Sequence, residues 1–110
     1  ELQQIPGGDA SNPLIDPKGG FLIFSSTRPG GLGGTDLWVT FRENGGWSEP
    51  RHLGAGVNSP QADFAPGLSP DGRTLYFTSE RPGVFPGPAA GRPPGDIYSI
   101  QVKDVPALRR

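Results

Sequence analysis

The chain contains no cysteine, no methionine and a single histidine. Without cysteine there are no disulfides and no thiolate metal sites. One histidine alone argues against a zinc site, so no metal or cofactor is expected. No apolar run approaches the roughly 20 residues that carry a helix across a bilayer, and membrane insertion is not expected. The formal net charge is −1 with acids and bases interspersed, which leaves no basic footprint for nucleic acid or an anionic membrane. No long stretch keeps a 3.6-residue apolar period without Gly or Pro interrupting it, so helix content should be close to none. No methionine opens the chain, as expected of a processed or excised piece. The absence of a signal-like segment therefore leaves the compartment open.

What the chain does have is turn residues. At 110 residues, one small domain is the default. Its 18 Gly and 14 Pro make up about 29% of it, a range in which disorder must be weighed. Their placement argues against disorder. They cluster between short runs rich in β-branched and aromatic residues, such as Phe21-Leu22-Ile23-Phe24 and Thr74-Leu75-Tyr76-Phe77-Thr78. Turn punctuation between short strands is an all-β signature.

The sequence also repeats. An offset of 53 aligns Pro13–Gly30 with Pro66–Gly83, and nine of those 18 positions are identical. Among the identities are Pro17/Pro70, Gly19/Gly72, Leu22/Leu75, Phe24/Phe77, Ser26/Ser79 and Arg28/Arg81. Beyond them the offset grows to 60, pairing Asp36-Leu37-Trp38 with Asp96-Ile97-Tyr98, because the second unit carries seven extra residues around Phe85–Pro94. A period of this size with only strand signals points to β-propeller blades rather than a helical solenoid.

Each unit reads as four antiparallel strands. The first lies around Ala65–Ser69, followed by the tight turn Ser69-Pro70-Asp71-Gly72. The second is Leu75–Ser79, or Leu22–Ser26 in the first unit. The third is Asp36–Phe41, or Asp96–Val102, and the fourth surrounds Trp47–Leu53 after the Asn44-Gly45-Gly46 turn. Residues 13–59 and 60–110 are thus two blades, and residues 1–12 are an outer strand or linker of a preceding one. Imperfect alternation in the second strands is expected where neighbours bury both faces.

Ser69-Pro-Asp-Gly-Arg-Thr-Leu-Tyr-Phe-Thr-Ser, followed by Arg81-Pro-Gly and Asp96-Ile-Tyr, resembles the WD40-like (PD40) repeat of TolB-type β-propellers. Gly46-Trp-Ser-Glu-Pro and Leu53-Gly-Ala-Gly-Val-Asn-Ser resemble that family's outer strand and linker. The likeness spans nearly the whole chain. It departs at Asp16-Pro17-Lys18-Gly19, which replaces Ser-Pro-Asp-Gly and leaves the contacts of that turn open. The resemblance implies an exported protein, periplasmic or extracellular. Two blades are part of a larger ring, since closed propellers hold 4–8. The ring is completed either by missing blades of a longer polypeptide or by further copies, a homo-oligomer. A two-blade monomer would expose apolar faces and sheet edges.

Candidate binding residues gather at one loop side. Arg28 and Arg81 end the second strands, and Asp36 and Asp96 begin the third. Together they form either a ligand-binding ring of charge, an Arg–Asp pair within each blade, or caps on loop amides. Asp63 belongs to the same set. The apolar, Pro-rich insertion 84–94 presents Phe85 and Arg92 as partner anchors, or is a neutral surface insertion. Gly30-Gly31-Leu32-Gly33-Gly34-Thr35-Asp36 reads as a flexible strand connection rather than a calcium repeat. Trp38, Trp47 and Tyr98 read as packing residues before sugar-stacking ones. His52 reads as an ordinary surface or edge residue, with no nucleophile in the local sequence for it to serve. No catalytic constellation is visible.

Three functions fit these residues. The first is a non-catalytic scaffold that binds a protein or cell-envelope component through its loop face. The second is the propeller domain of a hydrolase, a glycosidase or a prolyl-oligopeptidase-like peptidase. The third is a self-assembling building block with no ligand.

Overall fold

The computed structural model describes residues 2–82 and 95–109. Its regular structure is all-β and antiparallel, in two sheets. The first holds β1 (Ser11–Ile15), β2 (Phe21–Ser26) and β3 (Asp36–Glu43), with the short β4 (Gly46–Trp47) and β5 (Arg51–His52) both paired to β3. The second holds β6 (Asp63–Leu68), β7 (Thr74–Ser79) and β8 (Asp96–Gln101).

The two sheets are built on matching registers. Leu14 faces Ile23 and Ile15 faces Leu22 in the first, as Gly67 faces Tyr76 and Leu68 faces Leu75 in the second, all at the offset of 53. Phe21 to Ser26 run against Phe41 to Asp36 just as Thr74 to Ser79 run against Gln101 to Asp96. Both first hairpins break register at the same place, where Asn12 and its counterpart Ala65 carry positive φ (50° and 52°). A bulge of this kind bends the strand and sharpens its twist.

Both turns also survive the change in sequence. Gly19 and Gly72 each sit at φ 75°, a conformation that Gly adopts without a Cβ penalty. Gly19 N–H donates to the Asp16 carbonyl (2.7 Å), and Gly72 N–H to the Ser69 carbonyl (2.8 Å). In the first turn the Asp16 carboxylate accepts the Gly20 N–H (3.3 Å), the bond that Asp71 makes with the Arg73 amide in the second. In the second turn Asp71 accepts from the Ser69 hydroxyl (2.7 Å) and the Arg73 amide (3.0 Å). These two bonds, the hydroxyl first, hold its pKa below the ordinary 3.8.

Three strand assignments need correction. The fourth strand of the first unit is not continuous over Trp47–Leu53 but two dipeptides either side of Ser48–Pro50. Ser48 Oγ accepts the Phe41 amide (2.9 Å), and Pro50 has no N–H to continue the ladder. The first strand of the second unit begins at Asp63, two residues before the bulge. The third strand stops at Gln101, and single 3-10 turns, Val102–Asp104 and Pro106–Leu108, follow it, so the second sheet has three described strands rather than four.

Ile23, Leu37, Val39 and Phe41 on one face of the first sheet share a single core with Leu75 and Phe77 of the second. Leu53, Val57, Val105 and Leu108 complete it, and Tyr98 and Ile100 pack at its edge. The 3-10 turns are anchored there by Val105 and Leu108, both buried. The sheets are therefore stacked face to face around one apolar layer, the usual way for a sheet to bury its hydrophobic side.

Candidate functional site

The ends of β2 and β7 and the starts of β3, β6 and β8 lie at one end of the stack. All seven candidate positions fall on this part of the chain or on the segment 84–94. Each described one has a definite environment. Phe85, Arg92 and the rest of the 84–94 insertion lie outside the described residues.

Arg28 and Arg81 do the same work in the two units. Nε of each is bonded to the hydroxyl of the serine two residues earlier, Ser26 (2.9 Å) or Ser79 (2.7 Å). Each guanidinium lies over two aromatic rings. For Arg28 these are Phe24 (4.9 Å) and Trp38 (5.6 Å), and for Arg81 they are Phe77 (5.5 Å) and Tyr98 (5.2 Å). Such contacts are worth about 0.5–2 kcal/mol. Each arginine then reaches the segment leading into its own first strand: Arg28 the carbonyls of Pro6 (3.1 Å) and Gly8 (2.5 Å), Arg81 that of Val57. Trp38 and Tyr98 are thus packing residues beneath arginine, as their strand positions implied. Trp47 is likewise half-buried under Arg42 (4.5 Å).

The carboxylates divide differently. Neither arginine pairs with the aspartate that opens the following strand. Arg81 pairs with Asp63 (2.9 Å), which is fully buried and also accepts from the Ser59 amide (2.8 Å) and hydroxyl. The expected Arg–Asp pair within the loop is replaced by one that ties the linker to β7. The first unit has Ala10 at the corresponding position. There Asp9 caps the same corner, accepting from the Thr27 hydroxyl (2.6 Å) and amide (3.2 Å).

Asp36 is buried and caps the Gly-rich loop, accepting from the amides of Leu32 and Gly33 (3.3 Å). Its third partner is His52 Nε2 at 2.7 Å. His52 is therefore not an ordinary surface residue. Its Nδ1 accepts the Gly54 N–H (3.0 Å), which places the proton of the neutral ring on Nε2, donated to Asp36. Asn58 lies against the same ring. It holds both backbone groups of Leu37, accepting from its N–H (2.7 Å) and donating to its carbonyl (2.9 Å). With both nitrogens engaged, His52 has no lone pair available to activate a nucleophile.

Within the largely exposed loop 30–34, Gly33 is packed closely. A Cβ on Gly33 would sit 2.2 Å from the Gln61 carbonyl and 2.7 Å from that of Pro60, so only glycine allows this approach. The loop thereby touches the linker that leads into β6, and the Asp63 N–H donates to the Thr35 carbonyl (2.8 Å). Asp36, Asn58, Ser59, Asp63 and Arg81 form one polar seam joining the sheets. The sequence reading missed His52, Asn58 and Ser59. Only the linker motif Val57-Asn58-Ser59 hinted at them.

Asp96 differs from its counterpart Asp36. It is exposed, and its carboxylate makes no hydrogen bond or ion pair with the described residues. On the same end Leu32 stands 50% exposed. Among the described residues no cluster of three or more His, Cys, Asp or Glu side chains converges as a metal site. No described helix is long and apolar enough to cross a membrane. The chain matches no protein-family model and no curated protein.

Proposed function

We propose that the two sheets are consecutive blades of a TolB-type β-propeller. On this reading the chain is a non-catalytic scaffold of the periplasm or cell exterior, binding a protein or cell-envelope partner through the loop end of its strands. The observation that carries the reading is the coincidence of the two units. Register, bulge, turn and the Ser–Arg–aromatic station recur at the sequence offsets of 53 and 60.

The chemistry of the loop end supports a binding role over a catalytic one. Its charged groups Arg28, Asp36, Asp63 and Arg81 and its only histidine are consumed in holding loops and linker to the sheets. A rigid frame with outward loop tips is the usual carrier of recognition. Asp96 and Leu32 are among the exposed described side chains of that end.

The test is affinity capture of purified envelope and periplasmic fractions on immobilised protein, native against a Leu32→Ser/Asp96→Ala variant. Native protein should retain a discrete component, and the variant should lose retention by about tenfold, as for a binding hot spot, with unchanged thermal stability. Equal retention by both proteins, or none by either, overturns the reading.

A further inference from the structure

The internal stacking shows which face of one unit receives which face of the other. Leu37 and Ile23 on the first sheet are fully buried against the side of the second that carries Leu75 and Phe77. At the same offsets the second sheet has its own version of the first surface. Ile97 stands where Leu37 stands and Tyr76 where Ile23 stands, flanked by Thr74, Thr78, Ser99 and Gln101. Ile97 is 76% and Tyr76 44% exposed, two of the large exposed hydrophobics among the described residues.

Among the described strand residues, this face carries no charged side chain. A sheet face meant for water is normally protected by charge, whereas the centre of an interface is depleted of it. The complementary seat is on the same chain. Leu22 and Phe24 stand where Leu75 and Phe77 stand. Half-buried Leu22, with the almost wholly buried Phe24 beside it, lines an open, largely apolar groove of about 210 Å³ with Ile5, Ala10, Ser11 and Pro13.

We propose that the uncharged face of the second sheet docks the first sheet of a second copy of this chain, head to tail. Ile97 and Tyr76 enter the groove beside Leu22, repeating between copies the packing that already joins the two sheets within one. The contact is heterologous, so it propagates until it closes into a ring or runs on as a filament. The inference rests on the reading of the two sheets as successive, equivalent units, and it is independent of the loop-end partner.

The experiment is solution mass across the micromolar to millimolar range for native protein and two charge variants. Ile97→Arg blocks the peg and Pro13→Arg blocks the groove. Native protein should exceed its monomer mass of 11.6 kDa in a concentration-dependent way. Each variant alone should run as a monomer, with native circular dichroism. An equimolar mixture should form a dimer of twice the monomer mass and nothing larger, because each variant keeps the half that the other lacks. A native chain that stays monomeric, variants that still associate, or a mixture that fails to pair would each overturn the proposal. Loss of capture by the Leu32/Asp96 variant with these masses unchanged separates it from the loop-end reading.

Discussion

The first sheet and the second share a skeleton but not an environment. Leu37 and Ile97 hold the same rung, one wholly buried and one 76% exposed. Asp36 and Asp96 open the same strand, one gripping two amides and a histidine, the other facing solvent. On β3 the outer edge is covered by β4 and β5, whereas among the described residues β8 pairs only with β7. Backbone geometry therefore follows from the repeated turns, bulge and apolar rungs. Burial follows from which neighbour is stacked on each face. Equivalent residues acquire different energetic weight from position in the stack alone.

The sharpest way to break this comparison is to truncate both members of the buried-and-exposed pair. Leu37→Ala should cost about 2–5 kcal/mol, the range for a fully packed leucine. Ile97→Ala in the monomer should stay within about 0.5 kcal/mol, as exposed substitutions do. Urea melts of dilute protein decide it, and comparable losses would show that the two faces are not in different states.

The polar seam comes next. Asp63→Ala removes the partner of Arg81 and the acceptor of Ser59, and should cost about 3 kcal/mol, the lower end for breaking a buried pair. Asp36→Ala strands two loop amides and His52 and should cost about 2 kcal/mol. Asp96→Ala should be silent in the same denaturation assay. A silent Asp36→Ala would mean that the capped loop contributes nothing.

A smaller effect tests the likeness of the units rather than their difference. Gly19→Ala and Gly72→Ala each force a Cβ into the left-handed region and should each cost about 1–2 kcal/mol. The two values should agree, although the flanking residues of the turns differ. A large disparity would show that the Asp16 turn and the Ser69 turn are not equivalent.

The smallest effect is with acid. The Asp71 carboxylate is held below 3.8 by the Ser69 hydroxyl and the Arg73 amide. Its support of the turn is fully present above pH 3.8 and is lost as pH falls through its lowered folded value. Lys18 occupies the matching position in the first unit, so that turn lacks the Asp71 carboxylate and its two bonds. Carboxyl chemical shifts followed by NMR from pH 5 downward should give Asp71 a midpoint below 3.8. A midpoint at the ordinary value contradicts the bonds to Ser69 and Arg73.

Much of the frame is readable from residues alone. Gly19 and Gly72 mark the hairpin turns, and the identities Leu22/Leu75, Phe24/Phe77 and Arg28/Arg81 carry the repeat onto matching rungs. The seam was less legible, for a geometric reason. Strand ends place Arg28 near Asp36 and Arg81 near Asp96, but each arginine turns back onto the serine two residues before it. That redirects it to the incoming segment instead of across the loop. The bulge at Ala65 displaces the register just where Asp63 faces Ser79, so simple alternation does not bring Asp63 to Arg81. His52 lies in a two-residue strand, too short for any periodicity to show which way its ring points.

The central claim is that the two units share one strand register, and cross-strand NOEs measure it most directly. The account predicts contacts linking Leu22 with Thr40 and, equivalently, Leu75 with Ile100. It also predicts Leu14 with Ile23 and, equivalently, Gly67 with Tyr76. A pattern displaced by one residue in either sheet would put its apolar rungs on the opposite face and contradict the account.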